Sequence, residues 1–242
     1  MSLQGRVALV TGAGRNIGRA TALALARAGA DVVVNARQNR DELASVAEEI
    51  RRCGVRALPI VADMGDAAAV QQMCAQALET FGKVDILINN ASIRPHVPFV
   101  EMTWEQWDEV LRVDLHAAFW TTKAVVPGMI ARRWGRIINI AGANALSGYV
   151  GAAHVSVAKH GLWALVKTLA KELGPHGITA NGISPGAIET IGAKHNPERL
   201  KRIPAGRWGR SEDIAATCLF LASDDASYIN GQMIHVSGGE YT

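Results

Sequence analysis

Cysteine is scarce in this chain of 242 residues: Cys53, Cys74 and Cys218 stand far apart and are odd in number. They offer neither a disulfide framework nor a metal-ligand spacing, so no metal site is expected, and they fit a reducing, cytoplasmic setting. Long apolar runs are also missing. The opening "MSLQGRVALVTGAG" is too short in apolar residues for a signal peptide, and nothing approaches the roughly 18 needed to cross a membrane. Charge of one sign is not concentrated either, since the net charge is +3 and no lysine/arginine block interleaves with aromatics. That pattern excludes a nucleic-acid binder. The tryptophans Trp104, Trp107, Trp120, Trp134, Trp163 and Trp208 form no base-stacking pattern and read as packing or interface anchors. With 49% hydrophobic residues, disorder is excluded as well.

What is present is alternation. Short β-branched runs at 6–12, 31–36, 56–62, 84–91, 135–141, 177–184 and 232–238 read as strands, several apolar throughout, as in a parallel sheet buried on both faces. Helix-period stretches lie between them at 16–29, 41–53, 67–82, 104–131, 152–174 and 211–222. The last opens on Ser211 with acidic residues in its first turn. The expectation is one α/β domain over 1–242: a Rossmann-type, doubly wound parallel sheet of about seven strands flanked by helices. Ligand-facing loops are expected at about 92–99, 142–153 and 187–205.

Gly12, Gly14 and Gly18 follow the first strand and open the first helix. Glycines there let the backbone approach a ligand, and the helix N-terminus offers free N–H groups to a pyrophosphate. The spacing departs from G-x-G-x-x-G, so the signal comes from the strand–turn–helix context. The second strand ends "VVVNAR". With no carboxylate in Asn35-Ala36-Arg37, and with Arg15 and Arg37 at hand, NADP(H) is favoured over NAD(H); the alternative is two solvated surface arginines.

The segments "TGAGRNIG", "NNAS", "INIA", a helical Lys159, "NGISPGAIET", "IPAGRWGRSEDIA" and "YINGQMIHVSGG" resemble the classical short-chain dehydrogenase/reductase family, in its order and over essentially the whole chain. The resemblance implies cofactor contacts at Gly12, Arg15, Ile17, Gly18, Arg37, Asp63, Met64, Asn90, Ala91, Lys159, Pro185, Gly186, Ile188 and Thr190. It implies that Lys159 holds the nicotinamide ribose, and it implies a homotetramer with the helices of 104–131 and 152–174 packed across a two-fold. It also implies a serine, a tyrosine four residues before the lysine, and an asparagine on the preceding long helix. Those positions are Gly142, Val155 and Asp114, and Ser92 stands where the family has glycine. Valine carries no proton and glycine polarises no carbonyl.

Candidate catalytic residues are therefore Lys159, Asp114 and, from the loop before the lysine's helix, Tyr149. Asn144 and Ser147 share that loop. His154 adjoins the tyrosine position but lies roughly 140° around the helix from Lys159, so it reads as a packing histidine, as does His160. Arg94, His96 and the basic stretch at 194–202 suit an anionic small-molecule substrate, or else are solvated loop charges. Three functions stay open: an oxidoreductase of altered chemistry acting on an imine or acidic carbonyl compound, a catalytically silent NADP(H)-binding pseudoenzyme, and a non-redox lyase or isomerase.

Overall fold

Strand residues alternate in direction, and both sets here are apolar, so each strand serves two cores. In the computed structural model, which describes residues 1–142, 148–192 and 196–241, seven strands form one parallel sheet in the order β3-β2-β1-β4-β5-β6-β7. They are β1 (Val7–Val10), β2 (Asp31–Ala36), β3 (Ala57–Val61), β4 (Ile86–Asn89), β5 (Gly135–Ile140), β6 (Ile178–Pro185) and β7 (Met233–Val236). Six fall within the stretches expected from sequence, and β6 runs one residue past its stretch, to Pro185. Val32, Val34, Ile86 and Ile88 pack on one face against Leu25, Val46 and Leu221. Val33 and Leu87, the residues between, pack on the other against Met73, Val125 and Met129.

The helices are α1 (Asn16–Arg27), α2 (Arg40–Arg51), α3 (Ala67–Phe81), α4 (Trp104–Leu111), α5 (Ala117–Arg132), α6 (Ala153–Leu173), α7 (Pro197–Leu200) and α8 (Ser211–Ala222). Local chemistry starts several of them: Asn39 caps α2, Asp66 caps α3, and Thr103 forms a capping box with Gln106 on α4, whereas Ser211 is the first residue of α8 and Arg210 holds its cap position. No helix among the described residues is long and apolar enough to cross a membrane.

One expectation is corrected. The continuous helix over 104–131 is broken: a π-helical turn, Arg112–His116, separates α4 from α5. The physical reason lies in Asp114, which sits in that turn and whose carboxylate is held by groups outside the helix. Its Oδ1 accepts the Ile93 N–H at 2.8 Å and its Oδ2 accepts the Ser92 hydroxyl at 2.5 Å. A wide turn at a functional centre is the usual setting for such a bulge. The crossing order puts the ends of β1, β2, β4, β5 and β6 side by side, and their loops build the site.

Candidate active site

At two of its three glycines the loop after β1 leaves no room for a side chain. Gly12 has φ +62, and a Cβ on it would come within 2.9 Å of Ala91 Cα. A Cβ on Gly18 would overlap the Gly12 carbonyl oxygen and lie 2.6 Å from Asn90 Nδ2. Asn90 explains the tightness: its Nδ2 donates to the carbonyls of Thr11 (2.8 Å) and Gly12 (3.0 Å). Thr11 Oγ1 in return accepts the N–H groups of Asn90 and Ala91 at 2.9 and 3.0 Å. The loop after β4 thus clamps the loop after β1.

Unlike α2, α3 and α4, helix α1 has no side-chain cap; nor, unlike α2 and α4, does its first turn carry an acidic residue. Its N–H groups face a cleft of about 520 Å³, also lined by Arg15, Ile17, Arg37, Asp63, Met64 and Thr190. A cradle with no room for a Cβ at Gly12 or Gly18, beside an uncapped helix N-terminus and two arginines, fits a dinucleotide's phosphates.

Sequence reasoning missed three residues here. Asn35 is buried, accepting the Gly12 N–H at 3.3 Å and donating to the Ala62 carbonyl at 3.0 Å, so its carboxamide belongs to the loop rather than to a ligand. Asn16, at φ +52, accepts the Ile191 N–H at 3.0 Å and ties the glycine loop to the segment after β6. Glu42, on α2, brings a carboxylate into the cleft, 3.6 Å from where a Gly14 Cβ would stand. Its signal was present in the sequence, six residues beyond β2, but only the fold shows that it turns back.

A second cleft of about 370 Å³ adjoins the first, and Ile17, Asn90, Ser92, Arg94 and Thr190 belong to both. Pro185, Gly186 and Ile188 form one wall; Gly142, Val155 and Lys159 form the other. Every residue expected to touch a cofactor therefore lines one cleft or the other.

Lys159 is 3% exposed. Its Nζ lies 3.1 Å from Asp114 Oδ2 and donates to the Ile140 carbonyl at 3.3 Å. Burial pushes the ammonium below the ordinary lysine range, the Asp114 carboxylate pulls it back up, and the positive Arg94 adds to the lowering. Asp114 is buried behind Lys159 and does not line the cleft.

Val155 is buried beneath the cleft, against Val110, Ala152 and Ile93. Gly142 has φ +114, with nothing within 4 Å of an added Cβ. Tyr149 lines the same cleft from its rim and is 62% exposed. Asn144 and Ser147 lie outside the described residues, as do Lys194 and His195. His154 does not line the cleft; it is wholly buried, and its Nδ1 accepts the Val155 N–H at 2.9 Å. His160 bonds the Ser156 carbonyl at 2.8 Å. His96 fills the space beside Gly151, where an added Cβ would collide with its ring. Of the basic groups, Arg199 is engaged by Glu240 at 2.8 and 3.1 Å and Lys201 by Glu198 at 2.7 Å. Arg94 has no ion-pair partner among the described residues.

A seven-stranded parallel sheet with a glycine-rich turn at the head of α1 defines a dinucleotide-binding α/β protein. The family model described as enoyl-(acyl carrier protein) reductase matches residues 12–241. A 3-oxoacyl-(acyl-carrier-protein) reductase of Synechocystis sp. is 42% identical over 98% of both chains, and one from Thermotoga maritima is 37% identical over 99% of both. The crystal structure of a candidate NAD(P)-dependent gluconate 5-dehydrogenase from Beutenbergia cavernae, with bound NADP, superposes with a TM-score of 0.92 at 38% identity, over 99% of this chain and 98% of that one. The chain belongs to the classical short-chain dehydrogenase/reductase family of oxidoreductases.

Proposed function

We propose that this protein is an NADP(H)-dependent oxidoreductase whose reaction centre uses residues other than the family's serine and tyrosine. The observation that carries this reading is the pairing of two clefts. One is a phosphate cradle with Arg15 and Arg37; the other opens onto a buried Lys159–Asp114 ion pair beside Val155 and Gly142. The Beutenbergia cavernae relative binds NADP, which supports the cofactor choice. Gly12, Arg15, Ile17, Gly18 and Arg37 would hold the phosphates, Asp63 and Met64 the adenosine end, and Asn90, Ala91, Lys159, Pro185, Gly186, Ile188 and Thr190 the nicotinamide end. Bound there, the cofactor supplies or removes a hydride.

The chain's own residues bind, orient and exclude water. Arg94, shared by both clefts, gives an anionic small molecule a partner. An acidic carbonyl compound or an imine suits this site, because a protonated C=N arrives already electrophilic. Exposed Phe119 on α5 and Val157 on α6 support a homotetramer built across those helices.

A second reading, a silent cofactor binder, is favoured by Val155 itself, which removes the ordinary acid. Incubating the protein and NADPH with a cyclic imine, a β-keto ester and a 2-keto acid separates the two. Oxidation of NADPH that depends on one of these compounds supports the enzyme; tight NADPH binding with no oxidation by any of them supports the silent binder.

A further inference from the structure

The serine, tyrosine and asparagine positions are occupied by Gly142, Val155 and Asp114, yet Lys159 keeps its place. We propose that Lys159 is itself the proton donor of this site, with Asp114 and Ser92 positioning its ammonium. The inference rests on the redox reading above and assigns the group that completes the reduction of a carbonyl.

A lysine ammonium has three N–H groups and no acceptor. Two are directed inward, one to Asp114 Oδ2 at 3.1 Å and one to the Ile140 carbonyl at 3.3 Å. The third is left for the cleft that Lys159 lines. On the wall beside it Val155 has no proton to give and Gly142 no side chain, while Tyr149 stands at the exposed rim of the cleft. Ser92 Oγ is at the boundary of both clefts, but its hydrogen is committed to Asp114 Oδ2 at 2.5 Å, a short, charge-assisted bond.

Asp114 is fixed from three directions: the Ile93 N–H, the Ser92 hydroxyl and Lys159. A carboxylate so held cannot swing away, and it sets where the ammonium stands. The charged groups acting on Lys159 are Asp114 from the π-turn and Arg94 from the loop after β4; from β5 comes the uncharged Ile140 carbonyl. His154, on the same helix, also feels Asp114. Burial and Arg94 both loosen the proton, as a donor working near neutral pH requires.

Hydride reaches the carbonyl carbon from the cofactor, and the C=O π pair moves to oxygen. The Nζ–H bond of Lys159 breaks and an O–H bond forms on that oxygen. The neutral amine left behind regains a proton from solvent through the cleft.

The test has two readouts. Competitive acetylation of the cofactor-free protein with acetic anhydride across pH, followed by peptide mass spectrometry, gives the titration midpoint of Lys159, with exposed Lys171 as internal reference. Reduction of ethyl acetoacetate by NADPH gives the alkaline limb of turnover. The wild-type midpoint should lie below that of Lys171. Asp114→Asn should lower both midpoint and limb, because an anion beside the ammonium is lost. Ser92→Ala should raise both, because the carboxylate gives less of its charge to a hydroxyl. A merely structural role for either residue would slow turnover without moving the limb. Lys159→Met should cut kcat by about 10²–10⁴-fold. Failure of Lys159 to label, a midpoint equal to that of Lys171 in every variant, or NADPH binding with no ester reduction would overturn the proposal. Failure to bind NADPH at all would sink the redox reading instead, and the acetylation midpoints distinguish the two.

Discussion

The ammonium of Lys159 and the carboxylate of Asp114 meet at 3.1 Å with both side chains almost fully buried, one from the middle of α6 and the other from the π-turn between α4 and α5. A buried pair adds little net stability, but removing one partner strands the other charge at a cost of about 3–5 kcal/mol. Lys159→Met should therefore destabilise the fold by about that amount. Combining it with Asp114→Asn should recover more than about 1 kcal/mol of the loss. Urea unfolding of the two singles and the double measures this; strictly additive losses would show that the groups are not energetically coupled.

The glycine loop makes a sharper demand. Gly18→Ala places a methyl group on the Gly12 carbonyl and against Asn90. Backbone and clamp must then shift, at about 1–3 kcal/mol. NADPH affinity should fall by tenfold or more, read by nicotinamide fluorescence, while the far-ultraviolet circular dichroism stays that of the parent.

A serine at position 142 should not be neutral. Gly142 has open space around an added Cβ, but its φ of +114 is one that side chains resist. Gly142→Ser should lower stability by about 1–3 kcal/mol through backbone strain alone. A thermal midpoint equal to the wild type's would mean that the loop relaxes freely.

His154 gives the fold an acid sensitivity. Its Nδ1 accepts the Val155 N–H, and its Nε2 has no hydrogen-bond partner among the described residues. Burial holds its pKa below the ordinary imidazole value of 6.5. The folded state thus binds fewer protons than the unfolded state once the pH drops below 6.5, so the stability this group contributes is present above that value and lost as the pH falls beneath it. The slope it adds is at most about 1.4 kcal/mol per pH unit. Urea midpoints at mildly acidic and neutral pH should differ less in His154→Phe than in the wild type.

Strand positions were legible because burial on both sides leaves continuous β-branched runs, as in "DVVVNA" and "GRIINI". The break at Arg112–His116 was not, since apolar periodicity continues through it while the cause, the hold of Ser92 and Ile93 on Asp114, is tertiary. The glycine loop was legible as a phosphate cradle, yet its clamp by Asn90 and Thr11 was not. Asn35 shows the same limit. The absence of a carboxylate at the end of β2 was visible in the letters, but the arrival of Glu42 from α2 was not. Ser92 was visible only as a departure from glycine, and its partner had to come from the fold.

The decisive measurement is a titration of the purified protein with NADPH and with NADH. Tight binding is expected, with NADPH preferred by about tenfold or more, that is, by about 1.4 kcal/mol. The preference should vanish in Arg37→Ala and widen in Glu42→Gln, where a carboxylate near the phosphates is neutralised. No binding of either nucleotide, or a preference for NADH that Arg37→Ala leaves unchanged, would contradict it.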